Sequence, residues 1–221
     1  MSTATVVESP SPIEWATVAD LWDRLGQVPL ARIRLTPTPG TAVETDVSDS
    51  IDHADRICEL VDGVLVEKTM GYMESLLALA IGEFLRRFVR EWKLGIVLGP
   101  DGTLRISPRQ VRIPDVCFIS WDRFPGGKLP ATPLLAVAPD LAVEVLSEGN
   151  TEAEMRRKLR DYFAAGVRLV WCVDVCTRTT NVYTALERCT VLGADDVLTG
   201  GDVLPGFELP LRELFAEIAG K

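Results

Sequence analysis

Apolar residues recur at helical spacing in three stretches of the chain. The longest is MESLLALAIGEFLRRFVREWK over 73–93, where large and small apolar residues form one wide stripe. This pattern predicts a long helix closed by Gly95. A second helix is predicted over 151–166, and a shorter one begins near Val18 and ends at Gly26.

Short apolar runs separated by turn residues predict strands between these helices. The runs are RICELV and GVLVEKT about an Asp-Gly turn, GIVLG, TLRISP, QVRIPDVCFIS, DLAVEVLS, VRLVWCVDV, NVYTA and RCTVLGADDVL. PLRELFAEIA predicts a short final helix, whereas TPTPGTAVETDVSDSID, over 36–52, predicts a loop. This order of elements favours an α/β (α+β) fold with a mixed sheet between helices.

The length of the chain fits one sizeable core with extensions. With 221 residues and 47% hydrophobic residues, we expect an N-terminal extension over 1–50 with one helix, and one domain over 51–221. Ser, Thr and Pro dominate residues 1–12, which we expect to be disordered. No apolar run reaches the roughly 18–20 residues of a membrane span, and the N-terminus lacks a signal-peptide pattern, so a cytoplasmic protein is expected.

The net charge bears on which partners the protein can bind. The formal charge is -9, which disfavours a non-specific nucleic-acid binder with a basic face. The acidity lies at the two ends, since residues 63–186 carry 14 acids and 16 bases. This distribution is also that of an ordinary solubilising surface.

Two carboxylates interrupt otherwise apolar strands. Glu144 lies in the middle of LAVEVL, where a lone ionised carboxylate is costly unless something pairs with it. Asp115 follows Pro114 within VRIPDVCFI, and because proline cannot donate to a strand ladder, the ladder is interrupted just before this acid. Asp115 alone also fits a residue that simply ends a strand.

One base on the second helix lies at the edge of its apolar stripe. Thr151 and Glu154 form a capping box at its start. Counting 100° per residue, Lys158 lies about 60° from Met155, on the side that leans towards the sheet, whereas the neighbouring arginines lie well off the stripe. Glu144 and Lys158 therefore fit either a purely structural buried ion pair or a site.

The two acids and the ammonium are chemically suited to a metal site. Two neighbouring buried carboxylates repel unless a proton or a cation lies between them. Hard cations such as Mg²⁺ or Mn²⁺ prefer oxygen ligands and polarise phosphodiesters, and a lysine can steady the nucleophile or the developing charge. The only histidine, His53, lies in an acidic segment and is not expected to contribute.

IPDV, VEVLS and KLRDYFAAGVRLVWCVD resemble the Uma-two family of putative restriction endonucleases, a branch of the PD-(D/E)XK nuclease superfamily. ELVDGVLVEK fits that family's opening hairpin, and the resemblance covers about residues 57–215. It implies a restriction-endonuclease-like mixed sheet flanked by helices, with a C-terminal hairpin, and a Mg²⁺- or Mn²⁺-dependent endonuclease that cuts DNA.

The resemblance also implies roles for individual residues. Asp115 matches the motif aspartate and Glu144 the acid of the next motif, so both would hold the metal. The usual lysine would stand two residues later, where this chain has Leu146, and Lys158 would replace it from the following helix. Glu74, at the start of the long helix, is a further candidate ligand. It also fits a charge that favours the helix dipole.

Six further residues carry alternative interpretations. Glu59 in CELVDG fits either a site member or a solvent-facing hairpin residue, and Tyr162 fits the core better than catalysis. Arg86, Arg87, Arg90 and Lys93 fit phosphate binding but also a solvated helix face.

Two functions from different classes follow from these residues. The first is a metal-dependent endonuclease, with Asp115, Glu144 and Lys158 as catalytic residues and DNA as substrate. The second is a non-catalytic nuclease-fold protein that binds a partner or nucleic acid, since a fold does not fix a function. A hydrolase of another class with the same metal site also stays open. Because the acidic ends weigh against tight non-specific binding, we expect engagement of DNA either to be weak or to be supplied by a homodimer or another partner.

Overall fold

The structure is a computed structural model that describes residues 11–54, 56–69, 71–132 and 134–218. Of the segment 1–12 that is predicted to be disordered, residues 1–10 lie outside the described residues. In the ranges that are described, no helix is both long and apolar enough to cross a membrane.

The described part of the chain forms five α-helices and twelve strands. The helices are α1 (Val18–Arg24), α2 (Glu44–Ala54), α3 (Tyr72–Glu91), α4 (Glu152–Ala164) and α5 (Leu211–Ala216). The strands are β1 (Cys58–Val61), β2 (Val64–Glu67), β3 (Gly95–Leu98), β4 (Leu104–Ser107), β5 (Gln110–Arg112), β6 (Val116–Ser120), β7 (Leu141–Leu146), β8 (Leu169–Asp174), β9 (Thr179–Ala185), β10 (Arg188–Leu192), β11 (Val197–Gly200) and β12 (Leu204–Pro210).

The strands form a six-stranded central sheet and two smaller sheets. The central sheet has the order β10-β9-β8-β7-β6-β3, and only β7 and β8 run parallel within it. A four-stranded sheet has the order β2-β1-β5-β4, and β11 pairs with β12 in a C-terminal hairpin. The mixed sheet between helices confirms the predicted fold class.

Strand β7 divides its side chains between the two faces of the central sheet. Leu141, Val143 and Val145 pack with residues of α3, α5 and the β11–β12 hairpin. Ala142 points to the other face and packs with residues of α4. Because side chains alternate along a strand, Glu144 shares the face of Ala142 and is directed towards α4.

The segment QVRIPDVCFIS is two strands and not the single strand predicted from its apolar run. Its first part, β5, pairs with β1 and β4, and its second part, β6, pairs with β3 and β7. The chain changes sheets at Pro114, which has no N–H to donate to either ladder. Asp115 is therefore the first residue after the crossing and enters the central sheet beside β7.

Helix α2 corrects the loop that was predicted over 36–52. Val47, Ile51 and Ala54 recur at helical spacing, but the other residues of the helix are mostly acidic or hydroxylated. Val47 is buried against β1 and β2, and the Asp46 carboxylate accepts the main-chain N–H of Val43 at 2.7 Å. This narrow stripe lies among turn-favouring residues, and contacts with the hairpin stabilise the helix. The division of the chain at residue 50 stays a prediction, and α2 runs across it.

Gly95 does not close α3, contrary to the prediction. The helix ends at Glu91, and Gly95 is the first residue of β3. A Cβ atom at Gly95 would lie 2.0 Å from the carbonyl oxygen of Ile119, so β3 can approach β6 only with glycine there.

The N-terminal segment is joined to the start of α4. The Thr151 hydroxyl accepts the N–H of Glu154, as the capping box predicts, and donates to the carbonyl of Gly26 at 2.8 Å. The Glu154 carboxylate does not complete the box, because the Arg32 guanidinium binds both of its oxygens at 3.0 and 2.8 Å. Gly26 has a φ of +79°, and a Cβ there would lie 2.7 Å from Glu154 Cα.

Candidate functional site

The Asp115 carboxylate takes the place of a ladder partner at the start of β6. Its Oδ2 accepts the main-chain N–H of Val145 at 2.6 Å, and its Oδ1 lies 2.8 Å from Lys68 Nζ. Because Val116 pairs with Val143 in antiparallel register, the residue before Val116 comes opposite Glu144. The sheet crossing at Pro114 thus brings the two acids side by side.

Glu144 is enclosed between the central sheet and α4. Its Oε2 lies 2.8 Å from Lys158 Nζ, and its Oε1 accepts a short hydrogen bond from the Tyr162 hydroxyl. Burial raises the pKa of Glu144 above its ordinary value; Lys158 opposes this, and the charges of Asp115 and Glu59 raise the pKa further. Its raised pKa reflects burial and the neighbouring negative charges, which together exceed the effect of Lys158.

Lys158 reaches the sheet from the middle of α4. Its Nζ lies between Glu144 Oε2 at 2.8 Å and Glu59 Oε1 at 3.5 Å. Burial alone would lower the pKa of Lys158, but the two carboxylates raise it above its ordinary value. Tyr162 stands one helical turn further along and holds the second oxygen of Glu144. Both side chains are almost wholly buried.

Glu59 belongs to the same cluster and does not face solvent. Its Oε2 lies 2.7 Å from Arg112, and its Oε1 accepts the N–H of Ile113 at 3.0 Å. Burial alone would raise its pKa, but Lys158 and Arg112 lower the pKa of Glu59 to about 2. Arg112 also binds Asp161. Glu59 therefore fixes Lys158 from the side opposite Glu144.

Lys68 is the member of the cluster that the sequence reasoning missed. It follows β2 and pairs with Asp115. The hairpin register and strand alternation place Lys68 on the face of Val66, and Val66 pairs with Glu59. They do not place Lys68 beside Asp115, because that contact depends on how the two sheets are joined.

The structure brings three of the four predicted site residues together. Asp115, Glu144 and Lys158 lie in one buried cluster, while their catalytic roles stay predictions. Glu74 lies in the first turn of α3 with its carboxylate over Gly71, where a Cβ would approach Oε2 to 2.3 Å. Among the described residues, no hydrogen bond or ion pair joins Glu74 to Asp115 or Glu144.

The model of the Uma2 family, described as a putative restriction endonuclease, matches residues 43–212. The chain belongs to the Uma2 family. It also resembles the crystal structure of a putative nuclease of DUF820 from Anabaena variabilis, with a TM-score of 0.66 and 17% sequence identity over 74% of this chain and 92% of that one. At that identity the likeness shows the fold alone. No curated protein matches the chain.

The Uma2 match includes every residue of the cluster. Leu146, where the superfamily's usual lysine is absent, lines a cavity of about 310 Å³ at the end of β7, together with Cys172 and Met155. Lys158 reaches Glu144 from α4 and does not depend on that position. The cluster therefore has an ammonium beside Glu144 even though position 146 is a leucine.

The carboxylate oxygens of the cluster are the type of ligand that a hard cation prefers. Asp115 and Glu144 each offer two oxygens, and each oxygen has a lone pair beyond the one already engaged. Their charge, however, is offset by Lys68 and Lys158 in the structure. Within the described ranges, no group of three His, Cys, Asp or Glu side chains is arranged to hold a metal. A divalent cation would therefore fit beside the two acids if an ammonium gave way.

A groove between α3 and β3 approaches the Asp115 side of the cluster. It has a volume of about 490 Å³ and is lined by Gly82, Arg86, Pro100 and Val116, among others. Val116 follows Asp115 directly, and the Pro100 carbonyl accepts a hydrogen bond from Lys68. Pro100 therefore connects the groove to the Asp115–Lys68 pair.

Proposed function

We propose that this Uma2 protein is a metal-dependent endonuclease that hydrolyses phosphodiester bonds in DNA. The observation that carries the proposal is the meeting of the Asp115 and Glu144 carboxylates with the Lys158 ammonium, 2.8 Å from Glu144. The three come from two strands and a helix that are distant in sequence. Membership of a family of putative restriction endonucleases supports the same reaction class.

In this proposal Asp115 and Glu144 hold Mg²⁺ or Mn²⁺. When bound, the cation supplies a Lewis acid for the phosphodiester. Lys158 orients the attacking water or offsets negative charge as it develops, and Tyr162 and Glu59 position Glu144 and Lys158 for that task. Glu74 would join as a further ligand through a water or after rotation of its side chain away from Gly71.

The α3–β3 groove is the proposed path for the DNA backbone. Arg86 on its wall is a phosphate-binding group, since arginine recognises phosphate oxygens with a fork of donors. The net charge of -9 opposes binding to DNA. We therefore propose that a second copy of the chain or another partner contributes to substrate engagement.

Cleavage of supercoiled plasmid by the purified protein tests the proposal. We expect cutting with Mg²⁺ or Mn²⁺ that EDTA abolishes, and a loss of at least about 100-fold in Glu144→Ala. The matched control is Glu187→Ala, which removes an acid whose side chain is 74% exposed. An unchanged rate in Glu144→Ala, at an unchanged circular dichroism spectrum, would contradict the proposal.

One observation favours the non-catalytic alternative. Every carboxylate oxygen of Asp115 and Glu144 already has a protein partner, which is also what a structural ion network requires. A protein that binds DNA or a partner without cutting it under any divalent metal, and whose binding is unaffected by Glu144→Ala, would establish this second function. Cleavage of RNA but not of DNA would instead change the proposed substrate from DNA to RNA.

A further inference from the structure

The Lys68 ammonium lies inside a cage of three oxygens. Its Nζ is 2.8 Å from Asp115 Oδ1, 2.7 Å from the carbonyl oxygen of Ile113 and 3.2 Å from that of Pro100. The ammonium donates hydrogen bonds to the two carbonyls and forms an ion pair with the carboxylate. Among the described residues, the polar partners of the Lys158 ammonium are, in contrast, only the carboxylates of Glu144 and Glu59.

The cage is built by the two places where the main chain turns between sheets. Ile113 and Asp115 flank Pro114, and Pro100 belongs to the turn between β3 and β4. In the described part of the chain, neither carbonyl accepts a main-chain N–H. The carbonyls of the buried Ile113 and the half-buried Pro100 both lie within hydrogen-bond distance of Lys68 Nζ, which supplies the donor that they otherwise lack in the described segments.

This donor set is the one that hard divalent cations prefer. One carboxylate oxygen and two main-chain carbonyls are ligands typical of Mg²⁺, Mn²⁺ or Ca²⁺ sites. The nitrogen–oxygen distances of 2.7–3.2 Å exceed the roughly 2.0–2.6 Å of metal–oxygen bonds. The cage would contract by about 0.5 Å or more around a metal, which rotation of the Asp115 side chain and movement of the Pro100 turn can provide.

We propose that the Lys68 ammonium and the divalent cation are alternative occupants of this cage, with Ile113 and Pro100 carbonyls as metal ligands beside Asp115. The inference rests on the proposed function, since it concerns the same metal. Lys68 then offsets the negative charge of Asp115 until the ammonium leaves the cage. Its Nζ lies against Pro100, a wall of the α3–β3 groove, so a DNA phosphate in that groove is the group that draws it out.

Direct metal binding tests this competition without any measurement of cleavage. Free Mn²⁺ is measured by electron paramagnetic resonance in titrations of the wild type, Lys68→Met, Lys68→Gln and Asp115→Asn. Because Lys68→Met removes the competing charge and keeps the aliphatic stem, we expect Mn²⁺ to bind at least about tenfold more tightly. Asp115→Asn should abolish this binding.

Lys158→Met is the matched control. It also removes a buried ammonium from the cluster, but one that, among the described residues, pairs with carboxylates and with no main-chain carbonyl. Lys68 stays among the oxygens of Ile113, Pro100 and Asp115 in this variant, so we expect a tightening smaller than threefold. An equal or larger tightening in Lys158→Met would overturn the proposal, because it would show a general effect of charge.

A second measurement uses the unaltered protein and covers the case in which the variants fail to fold. Reductive methylation followed by mass spectrometry reports the reactivity of each lysine. Saturating Mn²⁺ should increase the reactivity of Lys68 and leave Lys158 protected. Unchanged protection of Lys68 at saturating Mn²⁺, or no Mn²⁺ binding to either wild type or Lys68→Met at millimolar concentrations, would overturn the competition.

The outcomes also separate this inference from the nuclease proposal. Metal-dependent cleavage that requires Glu144, together with equal Mn²⁺ affinity in wild type and Lys68→Met, would contradict this inference and support the nuclease proposal. Tighter Mn²⁺ binding by Lys68→Met without cleavage by any form would support the shared cage and contradict the nuclease proposal.

Discussion

Two buried ionic clusters meet at α4, and they are built from different cations. The arm cluster, formed by Arg32, Asp62, Glu154 and Arg157, joins the N-terminal segment and the β1–β2 turn to the helix. The site cluster, formed by Glu59, Lys68, Asp115, Glu144 and Lys158, joins the two sheets to the same helix. Arginine serves the acids of the first cluster, whereas lysine serves the acids of the second, where Glu59 binds Arg112 as well.

The difference separates a structural use of charge from a chemical one. Arg32 binds both oxygens of Glu154 and donates its Nε to the Glu67 carbonyl at 2.7 Å, so each nitrogen of its planar fork makes a hydrogen bond. Lys158 is a point charge shared between two acids, and Glu144 keeps a raised pKa. The acids of the arm cluster are thus paired with guanidinium groups, while the site cluster retains an acid that a cation or proton would satisfy.

The largest expected effect comes from breaking the arm cluster. Glu154→Gln leaves the buried Arg32 guanidinium without its counterion, so we expect the free energy of unfolding to fall by about 3 kcal/mol. Urea denaturation measures this. Arg24→Ala is the control, because the Arg24 side chain is 60% exposed and its pair with Asp62 should contribute less than about 1 kcal/mol. Equal losses in both variants would contradict the assignment of the arm cluster.

The next effect is the pH dependence that Glu59 gives to stability. Its pKa is lowered from 4.5 to about 2 in the folded protein, so the stabilisation is present above about pH 4.5 and is lost as the pH falls towards 2. We expect Glu59→Gln to be less stable than the wild type by about 3 kcal/mol at neutral pH. The two urea midpoints should converge below about pH 2.5, and parallel curves across this range would contradict the ion pairing of Glu59.

The third effect is expected at Lys158, where the reaction rate should change more than the free energy of unfolding. Lys158→Met should slow plasmid cleavage about 100-fold, which corresponds to about 3 kcal/mol of transition-state stabilisation. Its effect on the free energy of unfolding should be only about 1–2 kcal/mol, because Glu144 can bind a proton in place of its partner. A stability loss as large as that of Glu154→Gln with an unchanged cleavage rate would place Lys158 with the structural pairs.

The parts of the fold that sequence patterns predicted are those encoded by neighbours along the chain. The apolar stripe of α3, the Thr151 cap and the exclusion of Pro114 from a ladder each depend on residues a few positions apart. The proximity of Lys158 to the sheet also followed from helical periodicity. A carboxylate in the apolar strand β7 was a visible anomaly for the same reason.

The parts that were missed depend on contacts between distant segments. Helix α2 is polar and forms against the hairpin, and Arg32 finds Glu154 across 122 residues. The change of sheet at Pro114 and the pairing of Lys68 with Asp115 require the three-dimensional order of strands. Local sequence patterns do not predict such pairs, because the free energy of forming them depends on segments that meet only when the sheets assemble.

The most direct test of the site assignment is plasmid cleavage by Glu144→Gln and Glu154→Gln, measured side by side at saturating Mg²⁺ and at equal concentrations of folded protein. The two substitutions are chemically identical and lie in the two clusters that meet at α4. We predict that Glu144→Gln loses at least about 100-fold in rate while Glu154→Gln cuts at the wild-type rate per folded molecule. Equal rates in the two variants would contradict the account.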